Sequence, residues 1–114
     1  MKDPGVFVRH ILEAIERIEE FIEGKTKSDF LEDIQLQDAT IRRIEIIGEA
    51  SKNIPEDFKR NYPEIAWSEM SRTRDKLIHG YFGVDLDLTW NIVKTDLPEL
   101  KDQIESIIGE LGES

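Results

Sequence analysis

Cysteine is absent from all 114 residues. That excludes a disulfide framework, a thiolate zinc site and a cysteine nucleophile, and it fits a reducing compartment. No apolar run approaches the ~20 residues a helix needs to span a bilayer. Met1-Lys2-Asp3-Pro4 is not followed by the apolar stretch of a secretory leader. A cytoplasmic protein with no membrane association is the expectation. Positive charge is scarce as well: 15 Lys and Arg face 25 Asp and Glu, a net charge of −10. Such a balance argues against non-specific binding of long duplex nucleic acid, which draws on dense Lys and Arg. Lys59, Arg60, Arg72, Arg74 and Lys76 nevertheless fall in the middle third, while the C-terminal third is acid-rich. A confined basic site for a few nucleotides is compatible with that pattern. The sequence contains no repeat, no low-complexity tract and no convincing strand. Its length suits a single domain spanning 1–114, and a helical protein this small often completes its burial by dimerising.

What is present reads as helix. Phe7, Ile11, Ile15, Ile18 and Ile22 recur at spacings of three and four, which predicts an amphipathic helix from about Gly5 to Glu23, with Gly24 as its stop. Ser28 offers an N-cap oxygen to a second segment. Ile34, Ile41, Ile44 and Ile47 mark a stripe from Ile34 to Lys52, ended by Asn53-Ile54-Pro55. Gly48 sits inside that helix, where glycine costs about 1 kcal/mol relative to alanine, and close approach of a neighbouring backbone would justify it. A short helix is expected over Pro55 to Arg60, and another from Trp67 to about His79-Gly80. Leu86, Trp90, Val93, Leu97, Leu100, Ile104, Ile107 and Leu111 keep one register to the end. Asp85 or Asp87 is a candidate cap for it. Pro98 predicts either a kink or the first residue of a new helix capped by Asp96. The sum is an all-α, antiparallel bundle of four to five helices.

The chemistry concentrates in Arg74-Asp75-Lys76-Leu77-Ile78-His79-Gly80-Tyr81. It combines a fixed cation, a group that titrates near neutrality and a phenol. Only two histidines exist in the chain, so His79 carries the acid–base argument. At ~100° per residue Arg74 and Tyr81 share one helical face with Met70, Leu77 and Ile78. On an ideal helix His79 lies about 140° from Arg74. The two side chains therefore converge only if helical geometry ends near Gly80, or if a second copy brings its own pair to a shared cleft along the Arg74 face. Asp75, four residues before His79, can touch it and raise its pKa, while Lys76 acts in the opposite sense.

Metal-free cleavage of RNA fits these groups. His79 would take the proton of a ribose 2′-hydroxyl or deliver one to the leaving oxygen. Arg74 would bind the phosphate and stabilise its developing charge. The neighbouring 2′-hydroxyl is the nucleophile, so neither a cofactor nor a metal is required, and no carboxylate–histidine spacing suggests a metal site. Tyr81 could bond the phosphate or stack on a base.

Arg-x4-His-x-Tyr in Arg74 to Tyr81, followed by Phe82-Gly83-Val84-Asp85, resembles the HepT family of the HEPN superfamily (higher eukaryotes and prokaryotes nucleotide-binding domain). Ile46-Ile47-Gly48-Glu49-Ala50-Ser51-Lys52 and Tyr62-Pro63-Glu64-Ile65 before Trp67 match in order, so the resemblance spans nearly the whole chain. It implies a homodimeric helical ribonuclease with its cleft between protomers, the toxin of a type VII-like toxin–antitoxin pair, and catalytic roles for Arg74 and His79. It further implies a minimal nucleotidyltransferase antitoxin as partner, which transfers AMP from ATP to Tyr81. Added AMP would place bulk and negative charge where an RNA phosphate must sit.

Taken singly, each residue has a plainer reading. Arg74 could be a structural ion-pair partner of Glu49 or Asp38, His79 a helix C-terminal residue, and Tyr81 a core aromatic. His10 reads as solvent-facing, and Trp67 and Trp90 as core. The alternative at the level of function is a non-catalytic nucleotide-binding or scaffold partner of a nucleotidyltransferase.

Overall fold

The computed structural model describes residues 3–77 and 83–112, without the side chains of Arg74 and Asp75. Helix α1 (Pro4–Ile22) is started by the Asp3 carboxylate, which accepts from Gly5 N at 3.0 Å, with proline in the first turn. Its stripe buries Val8, Ile11, Ala14, Ile15 and Ile18. Gly24 turns the chain at φ 73°, a conformation that suits a residue without Cβ.

Helix α2 (Lys27–Glu32) begins at Thr26, not at Ser28 as the sequence suggested. Thr26 and Asp29 exchange backbone-to-side-chain bonds of 2.9 and 3.1 Å. That reciprocal box satisfies two orphan donors where a lone serine would satisfy one. Asp33 closes α2 and also caps α3 (Ile34–Lys52), accepting from Leu36 N at 3.0 Å. The buried stripe of α3 runs through Leu36, Thr40, Ile44, Ile47 and Ser51. Ile34 is 72 % exposed. It precedes Ile44 by ten residues and so sits about 80° off the stripe.

Helix α4 (Glu56–Arg60) is a single turn with no buried residue. Helix α5 is described from Trp67 to Leu77. A continuous rod follows: α6 (Leu86–Asn91), a π turn (Ile92–Asp96) and α7 (Leu97–Glu110). Asp85, not Asp87, caps it, accepting from Leu88 N at 2.9 Å. Pro98 lies in the first turn of α7, but Asp96 makes no capping bond. The rod passes through Pro98 without a fresh start, and Leu97 N reaches back to Ile92 O across the wider turn.

α1, α3 and α7 bury their apolar faces against one another, and α5 lies along α3. Gly48 of α3 meets the backbone of α5 at Met70 and Ser71, and Ser51 of α3 meets Trp67. Numbers rising on one helix fall on the other, so the pair is antiparallel. Trp67 is buried and Trp90 half-buried, its ring tilted 5.4 Å from Phe30. His10 is exposed, as expected. The fold is all-α, and no described helix is long and apolar enough to cross a membrane.

Candidate active site

Helix α5 carries the first four residues of the motif, Arg74 to Leu77, and is tied at Trp67 and at Leu77, its last described residue. At the start, Trp67 Nε1 donates to Tyr62 O at 3.1 Å, and the fully buried Ser51 Oγ donates to Trp67 O at 3.1 Å. Further along, Asp85 N donates to Leu77 O at 2.7 Å. Asp85 is a junction: its carboxylate caps α6 and its carbonyl accepts from Thr89 N and Oγ1 at 3.0 and 2.8 Å. His79 and Tyr81 lie outside the described residues, as do the side chains of Arg74 and Asp75. The expected Asp75–His79 contact and the convergence of Arg74 with His79 therefore fall outside the description too.

Two expectations are narrowed. Arg74 was expected on one face with Met70, Leu77, Ile78 and Tyr81, along which a second copy would form a cleft, and only Met70 and Leu77 of that face have described side chains. Met70 and Leu77 are 8 % and 1 % exposed within a single chain, packed in its own core. Their apolar area is already removed from water and is not left over for a partner. Of the mid-chain cations, three with described side chains are engaged locally. Lys59 and Arg60 pair with Glu56 and Asp57 of their own helix at 3.7 and 3.1 Å, and Arg72 turns back to Ser68 O at 3.4 Å. Neighbours three apart on a helix surface meet more readily than residues on different elements. Glu49 and Asp38, the candidate counter-charges, are exposed on α3.

Lys76 lines a groove of about 270 Å³ between α5 and the α6–α7 rod, with Met70, Ile47 and Ile92 in its floor and Glu64, Glu69, Asp96 and Glu99 around it. A larger hollow of about 720 Å³ opens between α1 and the start of α7, lined by Glu16, Glu19, Glu20 and Glu23 with Lys25 and Lys94. Carboxylates outnumber cations in both, so charge does not separate them. The α5 groove is the candidate because a motif residue, Lys76, lines it, and none lines the other. Among the described residues no group of three or more His, Asp and Glu is placed to hold a metal ion.

Asp85 was legible only as a helix cap, because nothing in local sequence reports its bond to Leu77. Thr40 was not anticipated either: its buried hydroxyl has no hydrogen-bond partner among the described residues.

An all-α domain whose Arg-x4-His sequence begins on a helix held at Trp67 and Leu77 is consistent with a HEPN-type nuclease, and sequence comparison resolves the family. The profile described as "Ribonuclease HepT-like" matches residues 11–107, so the chain belongs to the HepT-like ribonuclease family. It is 57 % identical over 101 residues to a protein of Thermococcus cleftensis named "Probable ribonuclease HepT", covering 89 % of this chain and 92 % of that one. A Methanocaldococcus jannaschii protein whose provisional name joins gamma-glutamylcyclotransferase with RNase is 53 % identical over 113 residues. The match takes in 99 % of this chain but spans only about half, 51 %, of that longer relative. A second M. jannaschii protein, provisionally named an RNase, is 44 % identical over 110 residues, covering 96 % of this chain and 91 % of its own. No solved structure gives a significant match.

Proposed function

We propose that the chain is a metal-independent endoribonuclease, active as a homodimer and serving as the toxin of a toxin–antitoxin pair. His79 takes the proton of a ribose 2′-hydroxyl, the 2′-oxygen attacks the adjacent phosphorus, and the bond to the 5′-oxygen breaks. That oxygen leaves with a proton from an imidazolium, giving a cyclic 2′,3′-phosphate and a 5′-hydroxyl end. Arg74 binds the phosphate oxygens and stabilises the charge that gathers on them. Asp75 orients the imidazole, and Lys76 adds a cation at the groove beside α5. DNA lacks the nucleophile and is inert.

The observation that carries this reading is membership in a ribonuclease family over 11–107, a span that includes every motif residue. The tethers on α5 support it, because a phosphate-binding arginine acts best from a backbone that does not drift. Silencing follows if a nucleotidyltransferase antitoxin joins AMP to the Tyr81 oxygen and releases pyrophosphate from ATP, covering the cleft with bulk and charge.

The test is RNA incubated with purified dimer in EDTA. Cutting persists in the chelator, His79→Ala loses about 10²–10⁴-fold, the usual contribution of a positioned acid–base group, and Arg74→Ala loses about 10²–10³-fold, that of one charge-stabilising donor. An unmodified wild type that leaves RNA intact while binding nucleotide would favour the scaffold reading. Full activity in both variants would reject the assignment of the site.

A further inference from the structure

We infer that Gly48 is a positioning residue for the motif helix: its missing side chain sets how deeply α5 lies on α3, and so where Arg74 stands. The inference rests on the proposed role of Arg74. A Cβ built on Gly48 would lie 2.9 Å from Met70 O, with Ser71 Cα and Met70 C at 3.7 and 3.8 Å. Real Cβ contacts essentially never fall below 3.0 Å, and ordinary contact begins at 3.4 Å. The obstruction is backbone, so no rotamer change relieves it and α5 itself must retreat.

The retreat is not uniform. Ser51, one turn from Gly48 on the same face, holds the Trp67 carbonyl at 3.1 Å. Leu77, the last described residue of α5, is held by Asp85 N at 2.7 Å. Tied at Trp67 and Leu77 and pushed out at Met70, α5 bows between its ties. Met70 lies three residues from one tie and Arg74 three from the other, roughly 4.5 Å along the axis in each case, so a push of roughly half an ångström at Met70 reaches Arg74 at about the same size. Misplacement of about 1 Å costs about 10²-fold in a reaction that depends on near-attack geometry, and half of that about 10-fold. Glycine inside a helix is unfavourable in itself, and its presence here matches the demand for close approach. Gly109 provides the contrast: it too is helical, but a Cβ there meets nothing within 4 Å.

The experiment compares wild type, Gly48→Ala and Gly109→Ala in steady-state RNA cleavage. Gly48→Ala is expected to lower kcat by about 10-fold with KM changed by less than about twofold, because orientation and not affinity is disturbed. Gly109→Ala keeps both constants. A folded Gly48→Ala protein with wild-type kcat overturns the inference. If that variant does not fold at 25 °C, Ser51→Ala carries the test, since it loosens the same seat without adding an atom. It should lower kcat several-fold at unchanged KM, and an unchanged kcat overturns the inference. If the wild type itself does not cut RNA, the ribonuclease reading fails separately. Crystal structures of wild type and Gly48→Ala then decide: α5 displaced by about half an ångström or more relative to α3 supports the seat, and superposable helices reject it.

Discussion

Thr40 of α3 is wholly shielded from solvent, and its hydroxyl has no hydrogen-bond partner among the described residues. A buried donor left unpaired carries its full desolvation penalty, about 1–3 kcal/mol. Valine has nearly the same shape and no hydroxyl, so Thr40→Val removes the penalty and keeps the packing. The expected gain is about 1–2 kcal/mol, less than the full penalty because the hydroxyl keeps weak contacts with its surroundings. For a domain near 100 residues, 1 kcal/mol moves Tm by about 4 °C or somewhat more. Calorimetry should therefore place Thr40→Val about 4–8 °C above wild type. Thr89 provides the internal control. It is equally buried, but its Oγ1 donates to Asp85 O at 2.8 Å. Thr89→Val should lose about 1 kcal/mol and leave that carbonyl one bond short. Opposite signs for one substitution at two equally buried sites would isolate hydrogen bonding from burial. A lower Tm for Thr40→Val refutes the reasoning, because the hydroxyl would then have a partner in solution.

Two further outcomes follow from packing and charge. Phe30 is the one fully buried residue of the short helix α2 and stacks obliquely on Trp90. Phe30→Ala should cost about 3–5 kcal/mol and change tryptophan emission, and a loss below 1 kcal/mol in urea unfolding would count against that anchoring role. At alkaline pH, Lys101 holds its proton more tightly when folded, chiefly through its bond to Glu19, and Tyr62 does so through burial and then Glu110. Both pKa values are raised, so their contributions are intact below the ordinary values of about 10 and lost as pH rises through the folded ones. Tm should stay level from pH 7 to about 9.5 and fall beyond about 10. The fall should be shallower in Lys101→Met/Tyr62→Phe, and an unaltered slope would contradict the assignment.

Most of the architecture was legible because helical periodicity is a local signal. The Ile11-Ile15-Ile18 stripe and the boundaries of α3 needed nothing beyond spacing and a proline. Gly48 was legible as a close approach because its cost had no other compensation, although its partner, Met70 O, was not. What failed was long-range or competitive. Thr26 displaced Ser28 as cap because Asp29 could reciprocate. Met70 and Leu77 were placed on the face of an expected cleft between copies because a stripe reveals burial without revealing against what. The family motif was plain to read. The Leu77–Asp85 tie that frames it joins residues eight apart, outside any helical repeat.

The wide turn at Ile92–Asp96 bears on how the gene for this protein could change length. In an α-helix, losing one residue swings everything downstream by about 100°, which would carry Leu100, Ile104 and Ile107 away from the core they fill. A π turn already accommodates one residue beyond the regular count. A codon lost within 92–96 could therefore be absorbed by tightening that turn, with both halves of the rod still facing inward. The same loss a turn later would have no such slack to draw on.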